Sequence, residues 1–229
     1  MRGVLQRLRD LLRLFFTGHG QGVWRAVSER LYSNGGSLGL RRDLAVPLPV
    51  PTAKRPIQVR PLAPEDDLSF LDIDRPGLSA DQVFARLGQR RILQSGLATC
   101  YVAIGPGGTP CYMQWLIPSG ENDRVRTCFL NLYPHLGPDE VLLEGAYTPE
   151  AHRGQGIMAS AMAQIAQRAA HSGARWAITF VDQGNTPSLK GCERAGFVPY
   201  LRRVEMYRLF HRVVAFMPLL TSALPGVGA

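Results

Sequence analysis

Hydrophobic and polar positions change period several times along the chain, and the changes divide it into elements. Residues 3–16 (GVLQRLRDLLRLFF) set Leu5, Leu8, Leu12, Phe15 and Phe16 at helical spacing, with Arg9, Asp10 and Arg13 on the opposite face. A second short helical stretch, 21–32, follows Gly18 and Gly20. The run from Pro47 to Pro56 (PLPVPTAKRP) is too rich in proline for a helix or a central strand and reads as a linker. These signals predict a basic helical extension over 1–46, a Pro-rich linker over 47–56, a folded domain over 57–212 and a loosely ordered apolar tail over 213–229.

Within the domain, 57–60 reads as a short strand. Ser79 and Gln82 form a capping box ahead of an amphipathic helix, 80–94, that Gly96 ends. Strands at 97–104 and 110–117 flank Gly105-Pro106-Gly107-Gly108, a hairpin signal. Tyr112, Met113, Gln114 and Trp115 alternate as core and surface positions of the second strand. A strand-like run at 125–133 precedes a strand at 139–147, a glycine-rich turn and a helix of about 15 residues with Gly173 just beyond it. Strand 175–181, helix 187–195 and strand-like pieces over 197–208 complete the pattern. Early hairpins followed by β-α-β units predict an α/β (α+β) fold, with a mixed, mostly antiparallel twisted sheet and helices on both faces.

Charge sharpens the division. The 229 residues carry a formal +8, and residues 1–60 hold eleven basic against three acidic side chains, so the rest is neutral. Basicity confined to one end, with no groove-reading motif, argues against nucleic acid as the partner. It leaves two roles for residues 1–16, packing on the domain or peripheral contact with an anionic membrane surface. Cys100, Cys111, Cys128 and Cys192 have no C-x-x-C spacing, which predicts no metal site and reduced thiols in a cytoplasmic protein. No uncharged run reaches the roughly 18–20 apolar residues of a membrane span.

The chemistry concentrates in Thr148–Met158 (TPEAHRGQGIM), where a strand ends, the chain turns on Gly154 and Gly156, and a helix begins. Glycines let backbone approach a ligand, and the first helical turn aims unpaired N–H groups at an anion. A P-loop would need Lys after its last glycine. A dinucleotide fingerprint would need a third glycine at 159, which is alanine.

Arg153-Gly154-Gln155-Gly156-Ile157 instead resembles the pyrophosphate loop of the GCN5-related N-acetyltransferases (GNAT). Asn185-x-x-Ser188 followed by Ala195-Gly196-Phe197 resembles that family's next strand–Asn–helix–Gly-Phe segment, in the same order. The resemblance implies a GNAT-like fold and an enzyme, a CoA-dependent N-acetyltransferase acting on a primary amine of a small molecule, with acetyl-CoA or another acyl-CoA as cosubstrate. It implies cofactor contacts from Ala146, Tyr147, Thr148, Arg153, Gly154, Gln155, Gly156, Ile157, Met158, Asn185 and Ser188. It also implies direct attack on the thioester, with Glu144 as base and Cys192 or Tyr147 as proton donor. Met158 stands where the family loop has a small residue, and Cys192 where it often has a tyrosine. Those two departures leave a longer-chain acyltransferase at a membrane surface, or a non-catalytic CoA-binding module, as alternatives. The acceptor pocket is expected from about 62–96 and 118–138, where Arg86, Arg90 and Arg91 suit either an acidic acceptor or a solvated helix face. His135 and His152 read as turn residues near the site, and a homodimer is left open.

Overall fold

A computed structural model describes residues 20–219, so the amphipathic stretch 3–16, with its membrane or packing role, and the end of the apolar tail lie outside the described residues. The elements in chain order are α1 (Gly20–Leu31), β1 (Tyr32–Asp43), β2 (Gln58–Pro61), α2 (Ala80–Ser95), β3 (Thr99–Ile104), β4 (Pro110–Pro118), α3 (Asn122–Phe129), β5 (Glu140–Tyr147), α4 (Ile157–His171), β6 (Trp176–Asp182), α5 (Thr186–Arg194), β7 (Val198–Arg208) and β8 (His211–Pro218). The strands form one sheet in the order β2-β3-β4-β5-β6-β1-β7-β8. All its pairings are antiparallel except β5 with β6.

Each face of the sheet carries a core. On one face, α4 brings Ala161, Met162, Ile165, Ala166 and Ala169 against Ala103, Tyr112, Leu143 and Ala177; its alanines let the helix lie close to the strands. On the other, Leu97, Met113, Trp115, Leu142 and Ile178 are buried together with Val125 of α3 and Leu136. Strand β4 is therefore covered on both sides, and Tyr112, Met113, Gln114 and Trp115 are all buried instead of alternating with solvent. The capping box is present, with Ser79 accepting from the Gln82 N–H and Gln82 accepting from the Ser79 N–H.

Four further sequence expectations change. Residues 32–43, expected within the helical extension, form β1 and enter the sheet between β6 and β7. Glycine-rich and polar, this strand lacks an alternating signal, yet Gly39 needs its bare backbone, since a Cβ there would sit 2.5 Å from Leu201. Residues 122–129 form α3 where 125–133 read as a strand; Val125 and Phe129 are one helical turn apart, and Leu130 ends the helix in the left-handed region. The start of the presumed tail pairs as β8 along Leu201–Arg208 of β7. Finally, 47–56 is irregular in backbone but packed, with Val50 and Ala53 against the α4 core and Leu48 against Gly196. Among the described residues no helix is long and apolar enough to cross a membrane.

Candidate functional site

The site is built where β5 and β6 part. Their parallel ladder runs through Glu140↔Trp176, Val141↔Ala177 and Leu142↔Ile178 and then stops, although each strand continues. A bulge supplies the divergence. Along β4, Met113 faces Tyr147 and Trp115 faces Glu144, so β5 carries one residue more than its partner across this interval. Gly145 takes up the extra residue at φ +67°, and its backbone lies on the Trp115 ring. From Leu143 onward the β6-side edge of β5 has no ladder partner, and Ala146 is exposed there.

Downstream of this edge lies the glycine turn expected to cradle an anion. Gly154 (φ +71°) and Gly156 (φ +74°) both occupy the left-handed region, where a side chain is strained. Open space surrounds the Cβ position of Gly154. Gly156 is the N-cap of α4, so the N–H groups of Ile157, Met158 and Ala159 lack a carbonyl one turn earlier and carry the positive end of the helix dipole. Ile157 is buried. Met158 packs against α5, its sulfur 3.1 Å from the Cβ position of Gly191. The larger side chain of the loop is matched by a missing one on α5.

Arg153 lies beside the cradle without entering it: its Nε donates to the Thr148 carbonyl (3.1 Å) and its guanidinium pairs with Glu150 (3.1 Å). Glu150 also accepts from Arg86 (3.3 Å), which is buried, so Arg86 is a structural cation and not part of a solvated helix face. Asn185 caps α5 by accepting from the Ser188 N–H (3.2 Å). The following Gly196 (φ +85°) and buried Phe197 turn the chain into β7.

Glu144 is half-buried on the face that carries α2 and α3. Burial pushes its carboxyl above the ordinary glutamate value, opposed by the Tyr133 hydroxyl, the Gly145 N–H and the charge of Arg203. Tyr133 is itself held in its protonated form, chiefly by burial and then by the neighbouring Glu144. Arg203 donates to Ser37 Oγ (2.9 Å) and the Leu132 carbonyl (3.3 Å), and lies over the rings of Tyr133 and Phe180. Sequence reasoning missed Tyr133, Arg203 and Ser37, which come from a loop, β7 and β1; no local motif marks them.

The two proposed proton donors separate. Tyr147 is buried on the Glu144 face and stacked on Phe70 (5.9 Å), and its hydroxyl has no hydrogen-bond partner. Cys192 does not suit the role. It is fully buried within the α4 core on the opposite face, and burial pushes its thiol up to about 12. The histidines lie in turns: His135 Nε2 is 3.2 Å from Asn122 Nδ2, and His152 closes the short turn Glu150–His152. Among the described residues no three His, Cys, Asp or Glu side chains are grouped to hold a metal.

Residues 109–197 match the model of the Acetyltransferase (GNAT) family, a span that runs from β4 through the cradle to Phe197. No curated protein matches the chain significantly. A GCN5-related glucosamine N-acetyltransferase region of a fungal multi-domain GH3 β-N-acetylglucosaminidase superposes with a TM-score of 0.53 at 14% identity, over 86% of this chain and 23% of that one. A GCN5-related N-acetyltransferase from Sphaerobacter thermophilus gives 0.49 at 15% identity, over 88% and 58%. A GNAT-family acetyltransferase from Colwellia psychrerythraea gives 0.48 at 14%, over 86% and 61%. The chain thus spans less than two thirds of the length of the last two. Its fold is GNAT-like.

Proposed function

From a GNAT-like fold whose sheet opens beside an anion cradle, we propose that this chain is an acyl-CoA-dependent N-acyltransferase that moves acetyl from acetyl-CoA to a primary amine of a small molecule. The observation that carries the reading is the parting of β5 from β6 after Leu142↔Ile178, with Glu144 on one side of the gap and the Gly154–Gly156 turn at its end. The N–H groups of Ile157, Met158 and Ala159 hold the pyrophosphate, and the unpaired edge of β5 at Ala146–Thr148 lines the pantetheine arm and thioester.

In this mechanism the amine nitrogen attacks the thioester carbonyl carbon, and the carbonyl electron pair moves onto oxygen. A backbone N–H on the open edge of β5 stabilises that oxyanion; one such donor is worth about 3–4 kcal/mol in other acyl transfers. The C–S bond then breaks and the CoA thiolate leaves. Glu144 takes the ammonium proton, a task suited to a carboxyl raised by burial. Tyr147, with its unpartnered hydroxyl, is the donor that returns a proton to the thiolate.

Calorimetric titration with acetyl-CoA, CoA and a long-chain acyl-CoA, followed by thiol release over an amine panel, tests the proposal. Binding of acetyl-CoA with turnover supports it. Preference for the long chain moves the donor class, binding without turnover leaves a CoA-binding module, and no binding removes the reading.

A further inference from the structure

The side chain of Arg86, on α2, is 3% exposed, so its charge is held almost wholly out of water. One terminal nitrogen donates to the Asp72 carbonyl (2.7 Å) and the other to the Glu150 carboxylate (3.3 Å), while Nε has no hydrogen-bond partner. Burying a guanidinium with one N–H unpartnered costs free energy that an apolar side chain of similar length would not. The two acceptors point to what offsets that cost, because both bonds lead to the same stretch of β5.

The first bond leads to the ring of Tyr147. The Asp72 N–H donates to the Ser69 carbonyl (2.9 Å) and closes the short turn Ser69–Leu71, and Arg86 holds the Asp72 carbonyl, so the turn is fixed at its end. Phe70, in the middle of that turn, stacks on Tyr147 with ring centroids 5.9 Å apart and planes 14° from parallel. The Tyr147 ring is backed by a turn that Arg86 pins.

The second bond leads to the residue after Tyr147. Glu150 offers one oxygen to each of two arginines: Oε2 accepts from Arg86 and Oε1 from Arg153 (3.1 Å). The Arg153 Nε in turn donates to the Thr148 carbonyl (3.1 Å). Burial opposes ionisation of Glu150, but its own backbone N–H and the charges of Arg153 and Arg86 hold the carboxyl below the ordinary glutamate value, so it accepts from both at neutral pH.

We propose that Arg86 is a positioning residue: from α2 it fixes the ring of Tyr147 through Asp72 and Phe70, and the carbonyl of Thr148 through Glu150 and Arg153, and so sets the open edge of β5 against the thioester. The inference rests on the acyl-transfer reading, in which Tyr147 returns the proton and Ala146–Thr148 line the thioester, but the placement of Tyr147 can be read without turnover.

The test uses the full chain with Arg86→Met, Glu150→Gln, Arg153→Ala, and a variant with both Arg86→Met and Arg153→Ala. Glutamine keeps the shape of Glu150 but offers one acceptor oxygen where the carboxylate offers two. Arg86→Met and Glu150→Gln should each lower kcat between roughly ten- and a hundredfold, as a small misplacement of reacting groups does, while the Kd for acetyl-CoA changes less than about threefold. The kcat losses of Arg86→Met and Arg153→Ala should not multiply in the double variant, because both residues reach Thr148 through one carboxylate. Without any acyl donor, fluorine NMR of the fluorotyrosine-labelled chain, with Tyr147→Phe to assign the signal, should show Tyr147 displaced in Arg86→Met and Glu150→Gln. The signal of Tyr112, buried on the opposite face, should hold its place. If Arg86→Met does not fold, Glu150→Gln decides, because its side chain is 33% exposed. An undisplaced Tyr147 signal, an unchanged kcat in the folded variants, or losses that multiply would overturn the inference. A displaced signal in a chain whose unsubstituted form does not turn over acetyl-CoA removes the acyl-transfer reading instead, so the two failures are distinguishable.

Discussion

The backbone of Gly145 rests on the indole of Trp115 so closely that a Cβ on the glycine would stand 2.7 Å from the ring. This contact holds the bulge that parts β5 from β6, so the width of the gap depends on one absent methyl group. Gly145→Ala forces a strained φ of +67° and a clash with a fully buried ring. It should destabilise the fold by about 1–3 kcal/mol and lower kcat more than it raises the Kd for acetyl-CoA, whose phosphates bind at the far end of the gap. Urea melts and steady-state kinetics check this; wild-type kcat would detach the bulge from catalysis.

Glu144→Gln separates catalysis from stability. The folded chain holds this carboxyl's proton more tightly than the unfolded chain, so the folded state loses stability as pH rises through the raised value. Removing the charge should therefore leave Tm at pH 7 unchanged or higher. Turnover should fall by between about a hundred- and ten-thousandfold, as loss of a general base does. The kcat/KM of the unsubstituted protein should rise with pH on an acid limb lying above about 4.3, the ordinary glutamate value, and that limb should vanish in the variant. A stable variant with normal turnover would exclude Glu144 as the base.

The elements that could be read from the sequence are those whose cause is local. The Ser79–Gln82 cap, the Gly105–Gly108 hairpin and the Gly154–Gly156 turn each depend on a few adjacent residues. Strand β1 escaped because what makes it a strand lies elsewhere: Gly39 has no side chain of its own to pack, and Leu201 and Phe180 fill the space beside it. The environment of Glu144 escaped for the same reason, since Tyr133, Arg203 and Ser37 meet only through the sheet order that places β1 between β6 and β7. Cys192 shows the limit of motif reading. Its position suggested chemistry, and only the packing of α5 on α4 reveals a thiol facing the core.

Cys192→Ala should accordingly change turnover by less than about twofold while costing on the order of 1 kcal/mol, the effect of a small cavity in a packed core. The same denaturation and kinetic assays serve. A loss of turnover without loss of stability would return the thiol to the mechanism.

Gly156→Val tests the cradle where it is most constrained. The left-handed φ of +74° disfavours any β-branched residue, and the new Cβ would meet the Thr52 carbonyl at 3.3 Å. The Kd for acetyl-CoA should rise at least roughly tenfold, because displacing the turn misaims the first N–H groups of α4. Calorimetry on a variant shown to be folded by circular dichroism gives the answer, and an unchanged Kd would place the phosphates elsewhere.

The Pro-rich segment suggests a further contribution to binding. Its Lys54 N–H donates to the Gln155 carbonyl at 2.9 Å, so the segment is fastened to the cradle and carries the exposed cations Lys54 and Arg55 beside it. CoA differs from its 3′-dephospho form by one phosphate, whose charge extends past the pyrophosphate. A variant with Lys54→Ala and Arg55→Ala should therefore lose affinity for CoA by roughly three- to tenfold and bind dephospho-CoA nearly as before, and the salt dependence of CoA binding should shrink with it. Because the anchoring bond uses backbone, the substitutions leave the segment in place. Parallel titrations of both ligands at low and high salt decide the matter. An equal loss for both forms would mean that Lys54 and Arg55 act on the pyrophosphate, and no loss for either would leave the segment a purely structural cover of α4.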